Sequence, residues 1–482
     1  MPPVRPAVPS NGTPPVDLNA ARPLNRTDSG NAERFASQHR QDARYVRHWS
    51  EWIVWNGRHW HVDRGKIDVA LLAKKTVRSI LAEASKTADD KERKELVAWA
   101  EQSESRARRE SMVILARGEP GVVIDHEELD RRSMLLSVQN GTLDLTTGAR
   151  RQHRREDFLT SIAPVTYEPK ALAPTWMQFL DRITDGNREL IDFLRRAVGY
   201  TLTGDVREQV LFFLHGEGAN GKSTFCSVLA DLLGRLAIAA APSLLATKHG
   251  ETHPTERADL CGSRAAICQE VEEGRYWAEV TIKQLTGGDR IKARRMHEDF
   301  WEFAPSHKLW IAGNHRPRIK GTDEAIWRRI MLVPFVVMIP PHERDKELPA
   351  KLHAELSGIL NWALAGCLEW QHAGLDPPAV VREATSDYRT DEDTVGRFID
   401  EMYEKDPDAF TPSSELYAAY RAWVAAEGER GEALSQRALA YRLEEKGFRS
   451  DRTKDARGWV GLRAKDGCDP RVTHVSRGKR PQ

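Results

Sequence analysis

Four short, largely apolar runs stand out in the middle of the chain, at 210–214, 264–268, 309–312 and 330–337. They lack the strict alternation of a half-buried strand, so they read as strands covered on both faces, as in a parallel sheet. Between the first two, Phe225, Val228, Leu229, Leu232 and Leu233 recur at helical spacing and Gly234 closes the run. Leu352, Leu356, Ile359, Leu360 and Leu364 predict one long helix after the sheet. Upstream, Trp49, Trp52, Trp55 and Trp60 flank Asn56-Gly57, a hairpin turn signal. Residues 69–117 read as helical and heavily charged. Asn140-Gly141 with alternating Leu143 and Leu145 predicts a second hairpin, and 176–198 predicts two amphipathic helices. The fold class expected is α/β.

The pattern divides the chain. Residues 1–31, rich in Pro, Asn and Arg, are expected to be a disordered tail. An α+β domain should span 32–200 and a nucleotide-binding core 201–375. A linker with Pro377-Pro378 and a charged stretch should occupy 376–394, and a final domain 395–482. With 482 residues and a formal net charge of +1, bulk charge decides nothing about partners, so local charge has to. The five cysteines include no C-x-x-C pair, which argues against a zinc ribbon or a disulfide framework, and Cys226 and Cys268 read as packing residues. No apolar run has the length of a membrane span and the N-terminus has no signal-peptide core, so a reduced cytoplasm is expected.

The chemistry begins directly after the first apolar run. Gly216-Glu217-Gly218-Ala219-Asn220-Gly221-Lys222-Ser223, followed by Thr224, fits G-x-x-x-x-G-K-[ST] between a strand and a helix. Backbone N–H groups and the helix N-terminus there attract phosphate, Lys222 would reach the β- and γ-phosphates of ATP, and Ser223 would ligate Mg²⁺. The second strand runs into Glu270 and Glu272. Carboxylates at the C-terminal edge of a sheet can hold Mg²⁺ or polarise a water, with Glu270 the first choice and Glu272 the second. Asn314 ends the third strand, where an amide could orient water against a γ-phosphate. Arg328 and Arg329 precede the fourth; in a ring ATPase such an arginine can reach the γ-phosphate held by a neighbouring subunit. Lys292, Arg294, Arg295 and His297 cluster near Phe300, Trp301 and Phe303, a basic hairpin suited to a nucleic-acid backbone. From 435 to 482 there are 13 Lys and Arg against 6 Asp and Glu. A capped helix with Arg437 and Arg442 followed by a basic hairpin is a winged-helix pattern.

On these motifs the chain resembles the phage and plasmid primase–helicases, whose motor is a superfamily 3 DNA helicase of the AAA+ type, and is similar to the poxvirus proteins of that kind. Residues 140–145 look like the signature of the domain preceding the motor, 283–289 like the motif before the DNA-binding hairpin, and 308–317 like the sensor motif. The resemblance implies an AAA+ P-loop core, a C-terminal winged helix and a hexameric ring on single-stranded and forked DNA. It makes Lys222 and Ser223 the Walker A residues, Glu270 Walker B, Asn314 sensor 1, and Arg329 the arginine finger with Arg328 in reserve. It places Arg294, Arg295 and His297 near the tip of the pore hairpin. About 200 residues precede the motor and leave no evident primase domain, so a separate primase or polymerase partner is expected. The expected function is an ATP-dependent replicative helicase of a phage, prophage or mobile element in a bacterial host cell. The alternatives weighed are an ATP-switched replication initiator, a small-molecule P-loop kinase and an inactive remnant.

Overall fold

The computed structural model describes residues 24–247, 254–269, 275–295, 299–319, 321, 323–426, 433–454 and 456–465. The described residues form two compact units, one drawn from Met1–Arg131 with His153–Ser161 and the other from Arg132–Gln152 with Ile162–Gln482.

In the first unit, helix α1 (Asp28–His39) starts where Thr27 accepts a hydrogen bond from the Gly30 amide. Strands β1 (Ala43–Val46), β2 (Glu51–Trp55) and β3 (Trp60–Val62) follow, then helices α2 (Ile67–Lys86), α3 (Asp90–Ser103) and α4 (Arg106–Ala116), and strand β4 (Val123–Ile124). The sheet order is β3-β2-β1-β4, antiparallel except for the parallel pair β1–β4. The first hairpin forms as the sequence predicts: Trp55 faces Trp60, and Asn56 Oδ1 accepts from the Arg58 and His59 amides. The expected tail, however, already contains the start of α1. Asn31 is buried, donating to Ser103 Oγ and accepting from Trp99 Nε1, so one polar side chain ties α1 to α3. A polar composition hid this, because the anchor itself is polar.

The second unit opens on the antiparallel sheet β5 (Leu135–Val138), β6 (Gly141–Asp144) and β7 (Ala149–Arg151). Its first turn is Gln139-Asn140, one residue earlier than the Asn-Gly signal implies. Gly141 instead begins β6, where a Cβ would collide with the Arg151 carbonyl. These strands belong to the unit that carries the large sheet, not to the first one. Helices α5 (Pro174–Ile183) and α6 (Arg188–Leu202) lead into β8 (Leu211–His215), α7 (Lys222–Leu233), β9 (Ala237–Ala239), α8 (Pro254–Ala258), β10 (Ala265–Gln269) and α9 (Glu279–Thr286). Then come β11 (Ile291–Ala293), β12 (Trp301–Phe303), β13 (Lys308–Gly313), α10 (Glu324–Trp327) and β14 (Ile330–Pro334).

The large sheet has the order β14-β8-β13-β10-β9 and is parallel throughout. Alternate residues enter two cores on its opposite faces. Phe212, Leu214, Ile267, Trp310 and Val333 join one; Leu211, Phe213, Cys268, Ile311 and Leu332 join the other. This two-sided burial explains why the strands read as continuous apolar runs.

Two expectations about the following segment are corrected. The helix expected through Leu352 and Leu364 is two, α11 (Leu348–Ala354) and α12 (Leu356–Ala373), parted at Glu355. The Glu355 carboxylate accepts from the Thr175 and Trp176 amides and so caps α5. The expected linker is largely a helix, α13 (Ala379–Glu392). Val381, Thr385 and Tyr388 turn toward the protein at helical spacing. Thr385 Oγ1 accepts from the Leu332 amide, and the buried Tyr388 hydroxyl donates to the Pro317 carbonyl. Of the charges that mimic a linker, Asp387 and Asp391 lie on its exposed face, whereas Glu392 turns inward and accepts from the Ile319 amide.

The C-terminal part comprises α14 (Thr394–Met402), β15 (Tyr403–Pro412), α15 (Ser413–Ala426), α16 (Gln436–Glu445), β16 (Arg449–Arg452) and β17 (Arg457–Ala464), with an antiparallel sheet β15-β17-β16. Phe398, Tyr420, Trp423, Leu443 and Trp459 fill its own core.

Candidate functional site

The glycine-rich loop runs from the end of β8 to the start of α7, and at Gly216 and Gly221 close contacts leave no room for a side chain. A Cβ on Gly216 would collide with the Phe335 carbonyl. Gly221, at φ +88°, caps α7 in the left-handed region, and a Cβ there would come within 2.6 Å of Ile183 Cγ2. Asn220, buried, donates to the Glu217 and Phe335 carbonyls, and the Ile339 amide bonds the Ala219 carbonyl at 2.8 Å. The loop is thus tied to the segment after β14 as well as to itself.

Lys222 is the first residue of α7, and its side chain folds back over the loop. Nζ donates to Gly216 O at 2.6 Å, Asn220 Oδ1 at 2.9 Å and Asn314 Oδ1 at 3.0 Å. All three acceptors are neutral. Among the described residues no carboxylate pairs with this ammonium, and burial holds its pKa below the usual lysine value. A largely buried cation with neutral partners at a helix N-terminus gives this loop a positive potential that favours negative charge. Ser223 and Thr224 follow in the first turn, with Ser223 exposed.

Asn314 arrives from the neighbouring strand. The parallel register sets Gly313 beside His215, so the residue after β13 reaches the loop after β8. The same register exposes a residue the sequence did not flag. His215 closes β8, and burial, then Arg316, then Lys222 push its pKa down to about 4. No motif marks it; only the sheet order brings these cations around it. Glu270 and Glu272 lie outside the described residues, although β10, which precedes them, runs parallel to β13 with Gln269 beside Ala312.

Arg328 and Arg329 precede β14, whose Ile330 is level with Leu211 at the start of β8. They therefore lie at the opposite edge of the sheet from their own glycine-rich loop. Arg329 is buried, donates to the Ala325 carbonyl, and has its pKa lowered by burial and by Arg328. Arg328 is exposed and donates to Gln209 Oε1 at 3.1 Å.

β11 and β12 form the expected basic hairpin. Ile291, Ala293, Trp301 and Phe303 face the core while Lys292 and Arg294 face out. The Lys292 ammonium and the Arg294 guanidinium stand 4.8 Å and 4.7 Å from the centroid of the half-exposed Phe300 ring. Arg295 is exposed beside them, and His297 lies outside the described residues. In the C-terminal part, Ser435 caps α16, Leu439 and Leu443 face inward, and Arg437 is exposed. Tyr441, 61% exposed one turn further on, was not anticipated. Arg442 is engaged with Glu445 at 2.7 Å, which leaves Arg437 the more available cation of the two.

Fold and site together define an α/β protein whose parallel sheet carries a glycine-rich strand-to-helix loop at its C-terminal edge. Comparison with known proteins makes the class more specific. Residues 32–185 match the family described as D5 N terminal like, 214–329 match a family of unknown function (DUF5906), and 390–465 match Poxvirus D5 protein-like. The chain thus matches D5-like family descriptions both before and after, in sequence, the residues of its large sheet, and it is similar to proteins of large DNA viruses named putative helicase or putative primase. "Putative helicase 022R" of Frog virus 3 is 30% identical over 263 residues, 50% of this chain and 26% of that protein. "Putative helicase L207/L206" of Acanthamoeba polyphaga mimivirus is 26% identical over 294 residues, 56% of this chain and 30% of that protein. The chain thus spans less than a third of the length of either. Both come from viruses of eukaryotes, so they lend no support to the expected bacterial host. Among the described residues no helix is long and apolar enough to cross a membrane. The apo C-terminal region of NrS-1 aligns over 62% of this chain and 76% of that one, at 12% identity and a TM-score of 0.36, a likeness too loose to carry an argument.

Proposed function

We propose that the chain is an ATP-dependent replicative DNA helicase of the superfamily 3, AAA+ type. In this reading the loop 216–223 binds ATP, and Lys222 exchanges its neutral acceptors for the β- and γ-phosphates. The observation that carries the proposal is the buried Lys222 ammonium, without a carboxylate partner among the described residues and shared with Asn314 from the adjacent strand. Ser223 and Glu270 would hold Mg²⁺, with Glu272 in reserve, and Asn314 would orient the attacking water. Mg²⁺ supplies charge neutralisation between the β- and γ-phosphates.

The arginine pair sits at the edge of the sheet away from its own loop, which favours a reach into a neighbouring subunit of a ring, expected to be a hexamer. Exposure supports Arg328, rather than the buried Arg329, as the residue that makes it. Lys292, Arg294 and Arg295 with Phe300 would grip single-stranded or forked DNA by charge and stacking. The C-terminal part, a helix α16 followed by the β16–β17 hairpin, fits a winged helix that would meet DNA through Arg437 and Tyr441. A primase or polymerase partner would supply priming.

The test is ATP-dependent unwinding of a forked duplex by the purified protein beside Lys222→Ala. Unwinding by the wild type alone supports a motor. DNA-stimulated hydrolysis without unwinding by the wild type sinks the motor reading in favour of an ATP-switched initiator.

A further inference from the structure

Independently of the motor reading, the first compact unit brings together two imidazoles and a carboxylate. β1 and β4 are parallel neighbours, with Tyr45 beside Val123 and Val46 beside Ile124. Their C-terminal ends therefore lie side by side. His48 is two residues past the end of β1, and Asp125 and His126 directly follow β4. His126 Nδ1 lies 2.9 Å, and His48 Nδ1 3.8 Å, from Asp125 Oδ1. The two imidazoles meet edge to face with centroids 4.8 Å apart.

One ligand atom from each residue falls within 4.8 Å of the others, the one such His, Cys or carboxylate trio found among the described residues. A tetrahedral zinc ion with bonds of about 2.0–2.2 Å spaces its ligand atoms by roughly 3.4 Å. The observed separations bracket that value, so side-chain rotations alone could close the site. Two imidazoles and one carboxylate are a donor set zinc takes, with water in the fourth position. The carboxylate is already oriented from outside: Asp125 Oδ1 accepts from the Glu127 amide, and the Glu128 carboxylate accepts from the Asp125 amide. His126 is buried, whereas His48 and Asp125 are about half exposed, which gives an ion a way in from solvent.

We propose that His48, Asp125 and His126 bind a divalent transition-metal ion of the zinc class, which ties the turn after β1 to the end of β4. The experiment uses the full chain, stripped with chelator and titrated with Co²⁺ in excess Mg²⁺, with visible absorption as the readout and Zn²⁺ as competitor. Expected is one equivalent with the absorption of a low-coordinate nitrogen and oxygen site, displaced by Zn²⁺. The exposed substitutions His48→Ala and Asp125→Asn should each weaken it at least tenfold, and His59→Ala should not. Zn²⁺ should raise the unfolding midpoint of the wild type but not of His48→Ala. The proposal is overturned if the wild type develops no such spectrum, or if His48→Ala and Asp125→Asn titrate as the wild type does.

Discussion

At the scale of single residues, Lys222 holds its charge among neutral oxygens, which is costly unless an anion arrives to share it. Lys222→Ala should lower ATP turnover by about 10²–10³-fold, the order lost with a charge-stabilising donor. DNA binding should largely remain, read by steady-state hydrolysis and by fluorescence anisotropy. Gly216 tests shape rather than charge. Its alanine variant drives a methyl into the Phe335 carbonyl, so nucleotide binding should be lost with Lys222 intact. The arginine pair separates by burial. Arg329→Ala should lower the unfolding midpoint, because it empties a buried position. Arg328→Ala should leave the midpoint unchanged and abolish hydrolysis. Full activity in Arg328→Ala, with a stable but inactive Arg329→Ala, would return the role to Arg329.

Element by element, polar and charged residues lie behind the corrections at Glu355 and in α13. Glu355 breaks a predicted helix because its carboxylate caps α5, which begins at Pro174 and has no side-chain cap of its own. Glu355→Ala should cost about 0.5–2 kcal/mol of stability, the usual value of a lost cap, measurable by urea denaturation. Helix α13 resembles a linker in the sequence because charged residues such as Asp387, Arg389 and Asp391 crowd its second half, while the spacing of Val381, Thr385 and Tyr388 is the informative signal. The β11–β12 hairpin was legible, since alternating Ile291, Lys292, Ala293 and Arg294 needs only one buried face. Its stacking of two cations on Phe300 was not, because aromatic contact depends on where the chain returns. Phe300→Ala should weaken single-stranded DNA binding by about 1–3 kcal/mol, as loss of a stacking platform does, with little change in salt dependence.

For the whole molecule, acid sensitivity follows from two histidines. His307 is fully buried, and burial followed by Lys308 pushes its pKa down to about 3, while that of His215 falls to about 4. The unfolded chain takes up these protons near pH 6.5 and the folded one does not. Their contribution to stability is therefore complete above about pH 6.5 and is lost progressively as the pH falls toward 3–4. For His307 the slope should be roughly 1 kcal/mol per pH unit. Unfolding midpoints between pH 7 and pH 4 should fall accordingly, and a folded His307→Asn variant should show a shallower decline.

What the sequence alone determined about this protein is whatever rests on local spacing and backbone geometry. The apolar runs announced a sheet covered on both faces, Asn56-Gly57 announced a hairpin, and eight residues from Gly216 to Ser223 announced a glycine-rich turn from strand to helix. The tertiary structure decided everything that depends on which strands are neighbours. It set β13 beside β8, and so Asn314 against Lys222 and cations around His215. It buried Arg329 and exposed Arg328, and it joined β1 to β4, and so His48 to Asp125 and His126. Sequence records what each segment can bury; only pairing between distant segments settles which polar groups meet.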